Sequence, residues 1–210
     1  MRKLRPYLKY IAVGALLLTL WLSRDMKDLS KVQDVAGISI DPADNNNYLF
    51  GLELAVTEKE NSFTVTSELI RVRASSLSEA LEQAGLQNEF PLVLTHGSLI
   101  VVHPDLLSRD MDNISRMLLS DWSGQRRTFI AVADGCDAAD ILSADEGENL
   151  RAGQLSQQVM RARQEGKLET LRALDTASRY LRGDTLSLPL VALSGKGYRI
   201  SGSIEIRKAG

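Results

Sequence analysis

The apolar positions of the chain change period several times, and each change predicts a different kind of element. First comes an uncharged run from Tyr10 to Ser23 that carries Ile11, Val13, Leu16, Leu17, Leu18, Leu20, Trp21 and Leu22. Beyond a polar stretch from Arg24 to Lys31, the β-branched residues of Val32–Ile40 predict a strand, and Asp41-Pro-Ala-Asp-Asn-Asn-Asn47 predicts a turn. Tyr48–Thr57 reads as a second strand. From Phe63 to Ala74 the residues alternate with a period near two and switch face around residue 69, which gives a third strand. Ser76-Leu-Ser-Glu79 has the capping-box pattern and opens a short helix through Leu81, with Gly85 at its C-terminal stop.

Phe90–Val102 is rich in apolar and β-branched residues around Thr95-His-Gly-Ser98, the pattern of a buried strand or an interrupted pair. Leu107, Met111, Ile114 and Leu118 then recur at helical spacing and predict one helix from Pro104 to Leu119. A short strand follows at Phe129–Ala133, and a small helix at Cys136–Ser143. Leu150, Leu155 and Val159, then Leu168, Leu171, Leu174 and Leu181, form two helical stripes separated at Gly166. Ser187–Leu193, the turn Ser194-Gly-Lys-Gly197 and Tyr198–Ile206 predict a closing hairpin, expected to join the early strands. The grouping of elements implies the α+β class: a mixed, mainly antiparallel sheet with several packed helices, in a single domain after an N-terminal apolar helix.

Composition narrows the function classes. With 44% apolar and 25% charged residues, the 210-residue chain is neither a disordered polyelectrolyte nor a multi-span membrane protein. No basic stripe tracks a phosphate backbone, so nucleic acid is not an expected partner. Cys136 is the single cysteine, which excludes an intramolecular disulfide and the multi-thiolate zinc frameworks. Arg2, Lys3, Arg5 and Lys9 precede the apolar run and Arg24 follows it, the charge asymmetry of an export signal. Residues 1–23 read as a cleaved signal or a retained anchor, and the lack of an Ala-x-Ala-like site at the end of the run favours the anchor, with a linker at 24–31 and an extracytoplasmic domain at 32–210. Without the four basic residues ahead of the run, 21 basic residues face 27 acidic ones. The exported part then has a net charge of -6 and no overall attraction to anionic lipid, so tethering rests on the N-terminal segment.

Candidate chemistry is thin. His96 and Ser98 pair a base type with a nucleophile type, yet the flanking glycines and orienting acid of a nucleophile elbow are missing, and a hydrolase is the third-ranked reading. Asp110 and Asp112, two apart on a helix, diverge and are expected to be solvated. Asp41, Asp44 and Asn45–Asn47 supply oxygen atoms without the order of a calcium loop, so a turn accounts for them. Ser194–Gly197 precedes a strand rather than a helix and reads as a turn, not a phosphate cradle. Cys136 is expected to be an inert buried thiol. The sequence assigns no catalytic, cofactor or metal residue, and the binding residues are unknown.

Trp21 after the apolar run, Val35-Ala-Gly-Ile-Ser-Ile-Asp41, Ser75-Ser-Leu-Ser-Glu-Ala-Leu81, Leu94-Thr-His-Gly-Ser-Leu-Ile-Val-Val102, Phe129-Ile-Ala-Val-Ala-Asp134 and Ala138-Ala-Asp-Ile-Leu142 follow one another in a particular order. In that order and spacing the chain resembles, from about residue 21 to its end, the N-terminal domain of the Ger(x)C family, the C subunit of spore nutrient germinant receptors. The resemblance implies a non-enzymatic, membrane-tethered subunit at the inner spore membrane, taking part in spore germination beside A-type and B-type receptor subunits. The alternative is an independent extracytoplasmic binding or scaffolding domain. The family pattern implies a lipobox cysteine just before the tryptophan and two further domains. Here Leu18-Thr-Leu-Trp21 holds no cysteine and the sequence ends at Gly210, so the apolar helix itself is expected to anchor a truncated or short family member.

Overall fold

The computed structural model describes residues 32–44, 47–57, 65–88, 90–94, 97–121, 127–143, 150–195 and 197–208. The chain divides into two compact units, Met1–Val32 and Gln33–Gly210, and all described residues except Val32 belong to the second. Among the described residues no helix is long and apolar enough to cross a membrane, and the run Tyr10–Ser23 lies outside them.

The strands are β1 (Gln33–Pro42), β2 (Tyr48–Thr57), β3 (Val65–Ala74), β4 (Leu92–Val93), β5 (Leu99–Val102), β6 (Phe129–Ala133), β7 (Leu186–Ser194) and β8 (Gly197–Ile206). The helices are α1 (Leu77–Gln87), α2 (Pro104–Arg109), α3 (Met111–Asp121), α4 (Ala138–Ser143), α5 (Arg151–Gln164) and α6 (Ala173–Leu181). One mixed sheet runs β3-β2-β1-β5-β6-β7-β8, with β4 paired to the start of β1. The α+β reading of the sequence is the architecture observed. Long antiparallel ladders join β3 to β2, β2 to β1 and β7 to β8, whereas β1, β5, β6 and β7 run parallel in short central registers.

Strand alternation distributes the core over both faces of this sheet. On one face Ile38, Ile40, Phe50, Leu52, Ile100, Val102, Ile130 and Val132 pack against α1, α3 and α6. On the other, Leu99, Val101, Ala131 and Val191 pack against α4 and α5 through Ile141, Leu142, Leu155 and Val159. The central strands are accordingly buried on both sides, and β5 and β6 read as continuous apolar runs.

Several details depart from the sequence reading: β1 runs on through Pro42 into the expected turn, and the helices expected from Cys136 and Leu168 begin at Ala138 and Ala173. The closing hairpin β7–β8 does not join the early strands; it pairs through β7 to β6 at the opposite edge of the sheet. The single helix expected over Pro104–Leu119 is two, α2 and α3, interrupted at Asp110. There Asp110 accepts from the Tyr48 hydroxyl and from Asn113 Nδ2 at 2.5 Å, so the side chain favours a junction over a continuous turn. Asp110 is therefore engaged rather than solvated, and Asp112 pairs with Lys208 Nζ at 2.7 Å. Finally, α1 continues past Gly85 to Gln87, and Asn88 closes it through a bond to the Gly85 carbonyl. At its start Ser76 Oγ accepts from the Glu79 amide at 3.2 Å as the capping box requires, while the Glu79 carboxylate reaches one residue beyond the cap and accepts from the Ser75 amide at 2.9 Å.

Candidate functional site

On the α4/α5 face, β1 and β2 present small and acidic residues instead of apolar ones: Gly37, Ser39 and Asp41 on β1, Gly51 and Glu53 on β2. This face meets the N-termini of the two helices. Asp41, only 3% exposed, accepts from the Ala138 amide at 2.6 Å and the Ala139 amide at 2.9 Å at the start of α4. Glu53, fully buried, accepts from the Arg151 amide, from the Ala152 amide at 2.8 Å and from the Ser67 hydroxyl at 2.9 Å at the start of α5. Each carboxylate therefore satisfies two of the amides that a helix start leaves without an intrahelical partner, and places negative charge at the positive end of the helix. Burial pushes both carboxyls above the usual range, opposed by those same amide hydrogen bonds.

The close approach behind this arrangement needs glycine. A Cβ on Gly37 would lie 2.3 Å from the Ala152 Cβ, and one on Gly51 would lie 2.4 Å from Ser39 Oγ. Small residues thus let the helix start sit directly on the strand, where the carboxylate can reach its amides.

His103 adjoins the Asp41 cap. Its Nδ1 accepts from the Asp105 amide at 3.2 Å, capping α2 ahead of Pro104, and its Nε2 lies 3.8 Å from the Asp137 carboxylate. Asp41, His103 and Asp137 each offer one ligand atom, all within 4.8 Å of one another, which is the coarse geometry of a cation site. The hydrogen bonds oppose that use. A neutral ring that accepts at Nδ1 carries its proton on Nε2, so the nitrogen facing Asp137 is a donor, and both Asp41 oxygens already accept helix amides. The three residues make a polar clasp between β1, α2 and α4.

The residues singled out from sequence are scattered. Ser98 donates its hydroxyl to the Ala36 carbonyl at 3.1 Å, and His96 lies outside the described residues. Asn47 donates its amide to the Asp44 carbonyl at 3.3 Å, a turn as expected, with Asn45 and Asn46 outside the described residues. Ser194 pairs with Gly197 across the β7–β8 reversal, where Gly195 has φ 62°. Cys136 is half-buried just ahead of α4; burial raises its thiol, and Asp140, Asp137 and Asp134 push it in the same direction. The sequence reading missed the capping roles of Asp41 and Glu53, and it counted Asp41 in the turn, whereas β1 runs on through Pro42 and Asp41 is a buried strand residue. A signal for Glu53 existed: it is the one charged residue inside the otherwise apolar strand Tyr48–Thr57.

A mixed sheet clad by helices on both faces, whose buried polar groups hold helix ends in place, defines an α+β domain. The chain belongs to the Ger(x)C family through its spore germination protein N-terminal domain, whose family model matches residues 25–193. In three dimensions it is similar to the crystal structure of the GerBC protein, with 14% sequence identity and a TM-score of 0.39 over 80% of this chain. The chain spans 47% of the length of that protein. No curated protein matches the sequence.

Proposed function

We infer that this protein is a non-enzymatic, membrane-tethered C-type subunit of a spore nutrient germinant receptor. The observation that carries this reading is the family match over residues 25–193, which spans most of the scaffold from ahead of β1 into β7. The basic residues Arg2, Lys3, Arg5 and Lys9 ahead of the apolar run Tyr10–Ser23 support an anchor at 1–23, a linker at 24–31 and an exported domain at 32–210. The partners are A-type and B-type receptor subunits at the inner spore membrane, and the domain contributes by docking rather than by chemistry. The polar groups of the α4/α5 face support that last point, since Asp41 and Glu53 are consumed in holding helices.

Deleting the gene and following nutrient-triggered germination tests the reading, together with affinity purification of the tagged chain from spore membranes. Slower or absent germination with co-purifying integral receptor subunits is expected. Normal germination with no such subunit recovered overturns it in favour of an independent extracytoplasmic domain.

A further inference from the structure

The acidic net charge of the exported part hides a local concentration of the opposite sign. Arg172 lies at the start of α6, and an isolated antiparallel bridge joins it to Phe129, the first residue of β6. Its guanidinium sits 4.0 Å from the centroid of the Phe129 ring and donates from Nη1 to the Arg127 carbonyl, so the side chain is held rather than free. Arg127 and Arg163, both exposed, are close enough that their charges oppose that of Arg172. Asp175 provides a nearby charge that favours it. Neither Arg127 nor Arg163 has a carboxylate ion-pair partner among the described residues. Three guanidinium groups set against the one carboxylate of Asp175 keep a net positive charge and repel one another, and a ligand that brings negative charge relieves the arrangement.

The sheet register says what lies in front of this cluster. Gly37 pairs with Leu99 and Leu99 with Phe129, all in parallel strands, so β1, β5 and β6 begin at the same end of the sheet. Strand β1 reaches further out at that end, to Gln33, two strand positions from β6. The chain that precedes Gln33 is therefore attached at the arginine-bearing end, and the eight residues 24–31 span at most about 28 Å. A groove of about 480 Å³ lies at the same end, where Leu92 pairs with Gln33; it is lined in part by Phe90 and by Leu86, whose side chain is 82% exposed. The groove lining is apolar and polar with one carboxylate, Glu82, so the basic contribution at this end comes from the arginines alone, and the exposed Leu86 offers an apolar side chain to the headgroup region.

We propose that the end of the sheet carrying Arg127, Arg163 and Arg172 docks on anionic phospholipid headgroups, holding the domain against the membrane surface in one orientation. The proposal rests on the membrane-tethered reading above. The shared chemistry is a phosphate ester oxyanion met by guanidinium groups, and the lipid surface is the chosen source because the N-terminal segment attaches at this end.

The test uses the full chain in a Cys136→Ser, Leu86→Cys background with a dye on the new cysteine. The chain is reconstituted into vesicles of phosphatidylcholine alone or with added phosphatidylglycerol, each containing headgroup spin-labelled lipid to quench the dye. Strong quenching that requires phosphatidylglycerol and disappears at about 1 M salt is expected. In Arg127→Gln/Arg163→Gln the docked-to-undocked ratio should fall about fivefold per arginine. Equal quenching in both lipids, or quenching unchanged in the double variant, overturns the proposal. Loss of quenching on adding inorganic phosphate at matched ionic strength also overturns it, assigning the arginines to a free anion. Co-flotation with neutral vesicles separately reads the anchor: its absence, with phosphatidylglycerol-dependent quenching intact, refutes the N-terminal tether and supports the arginine surface.

Discussion

Gly37→Ala asks the structure a sharp question, because one methyl group must enter a space that does not exist. The new carbon would sit 2.3 Å from the Ala152 Cβ and 3.0 Å from Glu53 Oε2, whereas carbon pairs are at their optimum at about 3.5–4.0 Å. Relief requires the start of α5 to lift off β1 by more than an ångström, since the Ala152 Cβ is fixed to the helix backbone and the Glu53 carboxylate, although a chain end, is held by the helix amides and Ser67. Overpacking alone costs about 1–3 kcal/mol. Lifting the helix also stretches the bonds from the Arg151 and Ala152 amides to the Glu53 carboxylate, and a hydrogen bond to a charged group contributes about 1.5–3 kcal/mol. The expected loss is therefore about 3–5 kcal/mol, or a fall in melting temperature on the order of 10 °C for a domain of this size.

The control is Ala152→Gly, which removes the clashing carbon and alone costs about 1 kcal/mol through helix propensity. Combined with Gly37→Ala it should restore most of the lost stability, with a coupling of at least about 2 kcal/mol in a double-mutant cycle. Rescue stays partial because the contact to Glu53 Oε2 remains. Thermal unfolding of the full chain followed by circular dichroism is the assay. Additive losses, or a Gly37→Ala protein as stable as the parent, would refute the packing argument.

Three further outcomes follow from the same face and its surroundings. Ser39 Oγ is fully buried with no hydrogen-bond partner among the described residues, so Ser39→Ala should be neutral or raise stability by up to about 1 kcal/mol in urea unfolding; a clear loss contradicts this. Glu53 has a folded-state pKa raised above its unfolded value, so its contribution is fully present below the unfolded pKa and is lost as pH rises through the folded one. The stability of the parent relative to Glu53→Gln should therefore grow as pH is lowered from neutral toward the ordinary glutamate range, and a difference that shrinks instead would be decisive against it. Cys136, with its thiol raised by burial and three aspartates, should react with a disulfide reagent at mildly alkaline pH much more slowly than a free thiol; reaction at the free rate would show the site is open.

Legibility in the sequence followed the range of the interactions involved. The capping pattern at Ser76 and Glu79 and the turn between Ser194 and Gly197 rest on contacts within a few residues, and the bounds of β2 follow from its own apolar run between turn signals, so the sequence alone predicts them. The break at Asp110 was not legible, because the hydroxyl that holds it belongs to Tyr48, distant in sequence. The place of the closing hairpin did leave a trace. Leu188-Pro-Leu-Val-Ala-Leu193 is a continuous apolar run of the kind buried on both faces, while Ser201-Gly-Ser-Ile-Glu205 alternates as a half-exposed edge strand does. That contrast puts β7 inside the sheet and β8 at its rim, but it does not say which strand β7 joins.

Asp41 and Glu53 explain why acidic residues occupy a buried sheet face at all. The starts of α4 and α5 point into the sheet, so their first amides have no access to water, and a neutral hydroxyl cap would satisfy one of them where a carboxylate satisfies two. The cost is desolvation, visible in the raised pKa of both groups, and the return is a helix fixed in position relative to its strand. For α5 that fixation acts over a distance. Its start is clasped by Glu53 and by contact with Gly37, and its 14 residues carry Arg163, near the far end, to Arg172. The arginine cluster at the sheet end is thus positioned in part by a carboxylate about 20 Å away along the helix. The acidic interior and the basic surface patch are two ends of one rigid element.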